Sequence, residues 1–190
     1  ELGYRIKLLG IGELLGNGLQ QRVRPCLVPV NNPIAQVEDV FNAVAAEAEG
    51  LGTSLSYGRG AGAGPTSSAV LSDLLDFANN RRTSFLGAAD SELVARPVQE
   101  LQKLSGSYYL RLQVYDRPGV LADLTAVFRD KGVSVEALLQ RGRNPDGTVP
   151  VVLTTHETSE AAIQKSVAEF EKLENVLEKP CILPIENFAG

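Results

Sequence analysis

Residues 108–140 read YYLRLQVYDRPGVLADLTAVFRDKGVSVEALLQ, and this stretch decides the architecture of the C-terminal half. Positions 108–115 alternate apolar and polar side chains, the period of a half-buried strand. Positions 118–131 then place Val120, Leu121, Leu124, Val127 and Phe128 on one helical face. Pro118 suits a first helical turn, where its missing N–H is not needed, and Lys131-Gly132 suits a C-terminal cap. Residues 133–140 return as a second strand. Working outward, NPDG at 144–147 is a strong turn, and 149–155 form a third strand. Residues 159–173 form a helix with Ile163, Val167 and Phe170 inward, and 176–184 form the last strand. The order βαββαβ is the split βαβ, ferredoxin-like arrangement, an α+β domain over residues 108–186.

Towards the N-terminus, residues 83–107 break the composition. Their Gly, Ser and Pro content suits a linker with one short helix. Ahead of it, residues 58–82 read GRGAGAGPTSSAVLSDLLDFANNRR. Gly58, Gly60, Gly62 and Gly64 lead through Pro65 into a helix with Val70, Leu71, Leu74, Leu75 and Ala78 on one face. Such a loop lets a ligand approach bare backbone at a helix N-terminus, or it makes a tight, closely packed turn. Spacing alone leaves both readings open. The loop is neither a strict G-x-G-x-x-G nor a phosphate loop ending in Lys-Ser/Thr. Earlier still, residues 4–11 and 22–30 read as strands joined by a hairpin. Pro25 and Pro29 place the second of these at an edge or a bulge. Residues 34–47 carry a helical stripe of Ile34, Val37, Val40, Phe41, Val44 and Ala45, opened by Asn32-Pro33 and closed by Gly50. Residues 53–57 form a short strand entering the glycine loop. Residues 1–82 thus read as part of an α/β domain.

The chain has 190 residues, 44 % hydrophobic and 22 % charged, with a net charge of −5. No basic stripe exists, so nucleic acid is not an expected partner. The apolar runs are too short to span a bilayer, and residues 1–15 lack the pattern of a signal peptide, so a cytoplasmic protein without a membrane partner is expected. Cys26 and Cys181 are expected at core positions in a reducing compartment. One His and two distant Cys cannot make a zinc site of the usual spacing, so no metal is expected. Methionine is absent, position 1 included, which suggests that Glu1 is not the natural start.

His156 reads as an exposed strand-end residue rather than an acid–base group. Asp73 and Asp76 read as the solvated side of a helix rather than a catalytic carboxylate pair. Arg22 with Arg24, and Arg141 with Arg143, read as solvent or interface charges.

Residues 108–185 resemble an ACT domain, carried by the 108–140 stretch with its D-x-P-G-V-L turn at Asp116 to Leu121. The resemblance implies a small effector, usually an amino acid, and pairing of domains through their strands. Asp116-Arg117-Pro118-Gly119 reads on its own as a capped helix start, and the resemblance favours a ligand site. Backbone N–H groups of Gly119, Val120 and Leu121 would receive an α-carboxylate, and Asp116 an α-ammonium. The second strand near residues 133–136, from a partner subunit, would close the pocket.

The N-terminal part is similar to bacterial homoserine dehydrogenase. The similarity is carried by LGYRIKLLGI (2–11), RVRPCLVPVNNPIAQVEDVFNAV (22–44) and YGRGAGAGPTSSAVLSDLLDFA (57–78). It implies the end of the substrate and dimerisation region, then a return to a nucleotide-binding domain. It also implies NADP or NAD as cofactor, with Gly60, Ala61 and Gly62 facing it. The implied reaction interconverts aspartate semialdehyde and homoserine, in a homo-oligomer of at least two subunits. Threonine is the effector that pathway logic favours. The family's Rossmann fingerprint, its two essential lysines and its substrate-binding glutamate precede the matching LGYRIKLLGI segment. No catalytic residue is therefore assigned here, Lys7 matches neither lysine, and the chain by itself is expected to be inactive. The alternative is a non-catalytic, amino-acid-sensing ACT dimerisation module. An ACT-tailed dehydrogenase of the phosphoglycerate type fits less well, because of the PTSSAV helix and the 27–44 segment.

Overall fold

Residues 4–29 fold into one long antiparallel hairpin, β1 (Tyr4–Leu15) and β2 (Gly18–Pro29), in register from Tyr4 opposite Pro29 to Leu15 opposite Gly18. Both strands exceed the segments read from alternation. This is seen in a computed structural model that describes residues 2–16, 18–81, 91, 93–100, 104–142 and 147–188. On its far side β2 meets the last strand, β9 (Cys181–Ile185), at the single parallel position Leu27 opposite Ile185. Backbone groups of alternate residues point to the same side of a strand. Pro25 and Pro29 therefore share the side of Leu27, where little ladder exists to miss their N–H groups.

The chain divides into two compact units, one of Glu1–Pro29 with Pro97–Asn187, the other containing Val30–Arg96. These do not coincide with the division at 82 and 107 read from composition. The first unit holds β5 (Ser105–Tyr115), α2 (Val120–Asp130), β6 (Val135–Gln140), β7 (Thr148–Thr155), the two-residue β8 (Thr158–Ser159), α3 (Glu160–Phe170) and β9. Its strands lie in the order β1-β2-β9-β5-β7-β6, and β8 adds to the start of β5. The last four of that path are the expected ferredoxin-like sheet, with β5 antiparallel to both β7 and β9. The last strand is shorter than the 176–184 reading; Val176 makes only an isolated bridge to Val114.

The core sits between this sheet and helices α2 and α3. Leu110, Leu112 and Val114 of β5 and Val149, Val151 and Leu153 of β7 alternate onto it. Leu124 and Phe128 of α2 and Ile163 and Phe170 of α3 close it from above. Phe128 and Phe170 meet edge to face, with centroids 5.0 Å apart. Burying each such ring is worth about 1.5–3 kcal/mol. Ser159 caps α3, its side chain accepting from the Ala162 N–H at 3.2 Å.

The second unit departs from the reading of residues 34–47 as a helix. Asn32-Pro33 does start a helical segment, with the Asn32 side chain accepting from the Ile34 N–H at 3.0 Å, but it is only a 3-10 turn, Pro33–Gln36. Val37 is already extended, at φ −73 and ψ 118, which ends the helical path, and Asp39 follows at φ 55. Residues from Phe41 onward form β3 (Phe41–Ala48), paired antiparallel with β4 (Gly52–Arg59). The ring of Phe41 stacks on Tyr57 at 4.7 Å, and the Arg59 guanidinium lies 5.2 Å from the Phe41 centroid. β3 is mostly alanine, so it is the facing strand, through pairs such as Phe41 with Tyr57, rather than its own propensity that holds it in the sheet. Helix α1 (Ala63–Ala78) forms as expected. None of its residues is buried, and Leu74 and Leu75 are 57 % and 61 % exposed.

One further expectation meets a correction. Cys26 is buried but Cys181 is exposed, because as the first residue of β9 it faces outward; both are free thiols. Among the described residues no helix is long and apolar enough to cross a membrane, and no three His, Cys, Asp or Glu side chains gather as a metal would need. The expected NPDG turn and Arg143 lie outside the described residues, apart from Gly147, as does much of the expected linker.

Candidate functional sites

The turn between β5 and α2 opens into a cavity of about 260 Å3. That is room for a small metabolite rather than a large cofactor. Asp116, Gly119, Val120 and Leu121, all singled out by the motif, line it together. Gly119 has φ 95 and forms the N-cap of α2. A Cβ there would meet nothing within 4 Å, so backbone conformation, not space, calls for glycine. The positive end of α2 faces the cavity. Gly119 and Leu121 stand where helix N–H groups have no partner within the helix. The Val120 N–H instead turns back to the Arg117 carbonyl at 3.3 Å.

Two lining residues escaped the motif. Gln140, at the end of β6, donates through Nε2 to Asp116 Oδ1 at 3.4 Å. Val151 of β7 supplies part of the floor. Sheet pairing brings both in, and no local spacing announces it. Arg117 lies with its guanidinium 4.6 Å from the Tyr115 ring. The cavity therefore offers a carboxylate, an amide and a helix N-terminus, a set that complements a zwitterion carrying both charges.

The second candidate is the glycine loop. Gly60, Ala61 and Gly62 lie exposed between β4 and α1. Gly62 has φ 111 and caps the helix, accepting the Thr66 N–H at 3.1 Å. Gly60 donates its N–H to Val40 O at 2.9 Å. A Cβ on Gly60 would fall 1.5 Å from the Asn42 amide nitrogen, so that exposed side chain would have to swing aside. Gly58 and Gly64 have open space around a built Cβ. Asp73 and Asp76 lie on the exposed helix, Asp76 paired with Arg81 at 3.3 Å. His156 is exposed at the strand end.

Of the two readings of Arg22 and Arg24, as solvent or as interface charges, the structure rules out solvent, because both side chains are largely covered and ion-paired. Arg22 donates to Glu186 from Nε at 3.2 Å and from Nη2 to both carboxylate oxygens at 3.0 Å, and its Nη1 donates to Gln20 at 2.9 Å. Arg24 pairs with Glu160 at 2.7 Å. The same carboxylate oxygen accepts the Tyr108 hydroxyl at 2.9 Å, and the other accepts Gln164 at 3.0 Å. Burial opposes ionisation of Glu160, but the hydrogen bonds from Arg24, Gln164 and Tyr108 outweigh it and hold the carboxyl below its ordinary range. Burial, with the Glu160 charge beside it, pushes the Tyr108 phenol up. Burial also pushes the Cys26 thiol up to about 11.

Comparison with known proteins follows the same division. Residues 1–75 match the homoserine dehydrogenase family, and residues 108–175 match the ACT domain. The homoserine dehydrogenase of Neisseria gonorrhoeae is 40 % identical over 186 residues, covering 95 % of this chain and 42 % of that protein. That of Pseudomonas aeruginosa is 37 % identical, covering 92 % and 42 %. The crystal structure of a homoserine dehydrogenase from Thiobacillus denitrificans superposes with a TM-score of 0.85 at 37 % identity, over 99 % of this chain and 44 % of that one. The chain thus spans less than half the length of these relatives.

Proposed function

Because the chain belongs to the homoserine dehydrogenase family and carries an ACT domain, we propose that it serves the NAD(P)-dependent interconversion of aspartate semialdehyde and homoserine, under feedback control by an amino acid. The single observation that carries the control half is the β5–α2 cavity. In it the carboxylate of Asp116 and the N-terminus of α2 face one small space. An α-ammonium on Asp116 and an α-carboxylate at the helix end satisfy both. Threonine, an end product of the homoserine branch, is the proposed effector. Gln140 is placed to read a side-chain hydroxyl.

In the catalytic half, the residues of this chain take supporting roles. The loop at Gly60, Ala61 and Gly62 presents exposed backbone at the N-terminus of α1, and this fits the approach of a flat ring and ribose. The nicotinamide, when bound, supplies hydride acceptance. This chain's residues would orient it and exclude Cβ bulk at Gly62. The lysines that the family resemblance implies have no counterpart among these residues. The proposed assembly is a homo-oligomer of at least two subunits.

The test is an absorbance assay of the purified chain with homoserine and either NAD or NADP. No reduction is expected. A homoserine-dependent rise in NAD(P)H would overturn the assignment of supporting roles. In an enzyme carrying this segment, Gly62→Val is expected to weaken cofactor binding, and unchanged cofactor KM and kcat would sink the loop's role.

A further inference from the structure

The region matching the dehydrogenase family and the region matching the ACT domain meet at the β1–β2 hairpin, within one compact unit. Backbone joins them sparsely. Leu27 bridges Ile185 of β9 and accepts the Glu186 N–H at 2.9 Å. Side chains do the rest. Arg22 grips Glu186 just past β9, and Arg24 grips Glu160.

Glu160 is the first residue of α3, and its N–H donates to Leu104 at 2.8 Å just before β5. A carboxylate there is favoured by the helix dipole. Tyr108, 1 % exposed in β5, holds the same carboxylate. The other end of β5, at Val114 and Tyr115, lines the proposed effector cavity. Helix α2, whose N-terminus faces that cavity, packs through Phe128 on Phe170 of α3. Two rigid elements therefore lead from the cavity to one carboxylate, and that carboxylate holds the hairpin.

The cluster is incompletely satisfied. Arg24 Nε is buried without a hydrogen-bond partner among the described residues. A rearranged contact that satisfied this donor would recover the cost of leaving it buried and unmade.

We propose that the Arg24–Glu160–Tyr108 cluster is the coupling contact through which occupancy of the β5–α2 cavity reaches the β1–β2 hairpin. This rests on the reading of that cavity as an amino-acid effector site. An effector regulates only by binding two states unequally, and the coupling is reciprocal. The ligand-bound arrangement would hold α3 and the hairpin together more tightly than the free one.

Hydrogen exchange on the full chain tests this, with L-threonine as probe and residues 148–155 of β7 as an internal control for folding. In the wild-type chain, threonine is expected to slow exchange at residues 116–124 and also at 18–28. In Tyr108→Phe and Arg24→Met, slowing at 116–124 should persist while the response at 18–28 falls by about fivefold or more, the low end of usual allosteric coupling. If Arg24→Met loses protection in β7, Tyr108→Phe, which removes only a hydroxyl, decides. Protection confined to 116–124 in the wild type would overturn the proposal and leave the effector reading standing. An undiminished hairpin response in the deciding variant would do the same. No protection at 116–124 would remove the effector reading, and the coupling with it.

Discussion

Helices α2 and α1 carry apolar stripes of helical spacing, yet they end in different surroundings. α2 buries Val120, Leu124 and Phe128 against its own sheet, whereas α1 buries nothing. Periodicity therefore identifies a helix without saying what covers it. The ACT region supplies both the stripe and its partner surface within about eighty residues of sequence. In the Val30–Arg96 unit the β3–β4 hairpin and α1 leave Val44, Val70, Leu71 and Phe77 more than half exposed. Stability should accordingly reside in the first unit.

The largest contrast lies between core and stripe. Phe170→Ala is expected to cost about 3–5 kcal/mol. Leu74→Ala, on the open face of α1, should change stability by less than about 0.5 kcal/mol. Urea unfolding followed by circular dichroism measures both, and equal effects would break the comparison.

Next in size is the junction that binds the hairpin to the ACT sheet. Glu160→Ala strands a partly buried guanidinium, and a loss of about 2 kcal/mol lies between the values for exposed and fully buried pairs. Removal of the exposed Arg129–Asp130 pair, by Asp130→Ala, should leave the urea midpoint almost unchanged.

The pH dependence sharpens the same point. The folded-state pKa of Glu160 is depressed, so its contribution is fully present above the ordinary glutamate value of about 4.3 and is lost as pH falls through the lower folded value. Urea midpoints taken from pH 6 down to about pH 3 should fall, and Glu160→Gln should flatten that limb. An identical acid limb in the variant would show that other carboxylates set it.

The smallest effect concerns the two thiols. At pH 8 a disulfide reagent should modify Cys181 quickly. Cys26 is buried and its thiol is held protonated, so it should react only on unfolding. Two fast thiols in the native chain would mean that the hairpin opens readily from the sheet.

The βαββαβ half was legible because its patterns are local. Pro118, Gly119 and the alternation of 108–115 each specify a neighbour in sequence, and the cavity residues Asp116, Gly119, Val120 and Leu121 follow from one turn. The hairpin's place beside β9 was not legible, since it depends on pairing between Leu27 and Ile185. Arg22 and Arg24 looked like surface charges because their carboxylates lie 164 and 136 residues away. Residues 34–47 misled for the opposite reason. Their helical stripe is real as a pattern, but the path turns extended at Val37 and β4 offers Phe41 a strand partner. Gln140 entered the cavity only because β6 and β7 align it there. At the glycine loop the pattern pointed to ligand approach, and the structure adds that Gly60 lies against the exposed Asn42 side chain.

The most direct test of the effector cavity is calorimetric titration of L-threonine into the purified chain. L-serine, L-isoleucine and L-methionine serve as comparators, and Asp116→Ala as control. Selective binding of threonine, lost in Asp116→Ala, is the expected result. Absence of binding by all four, or threonine binding that survives in Asp116→Ala, would contradict the assignment of this cavity as the feedback site.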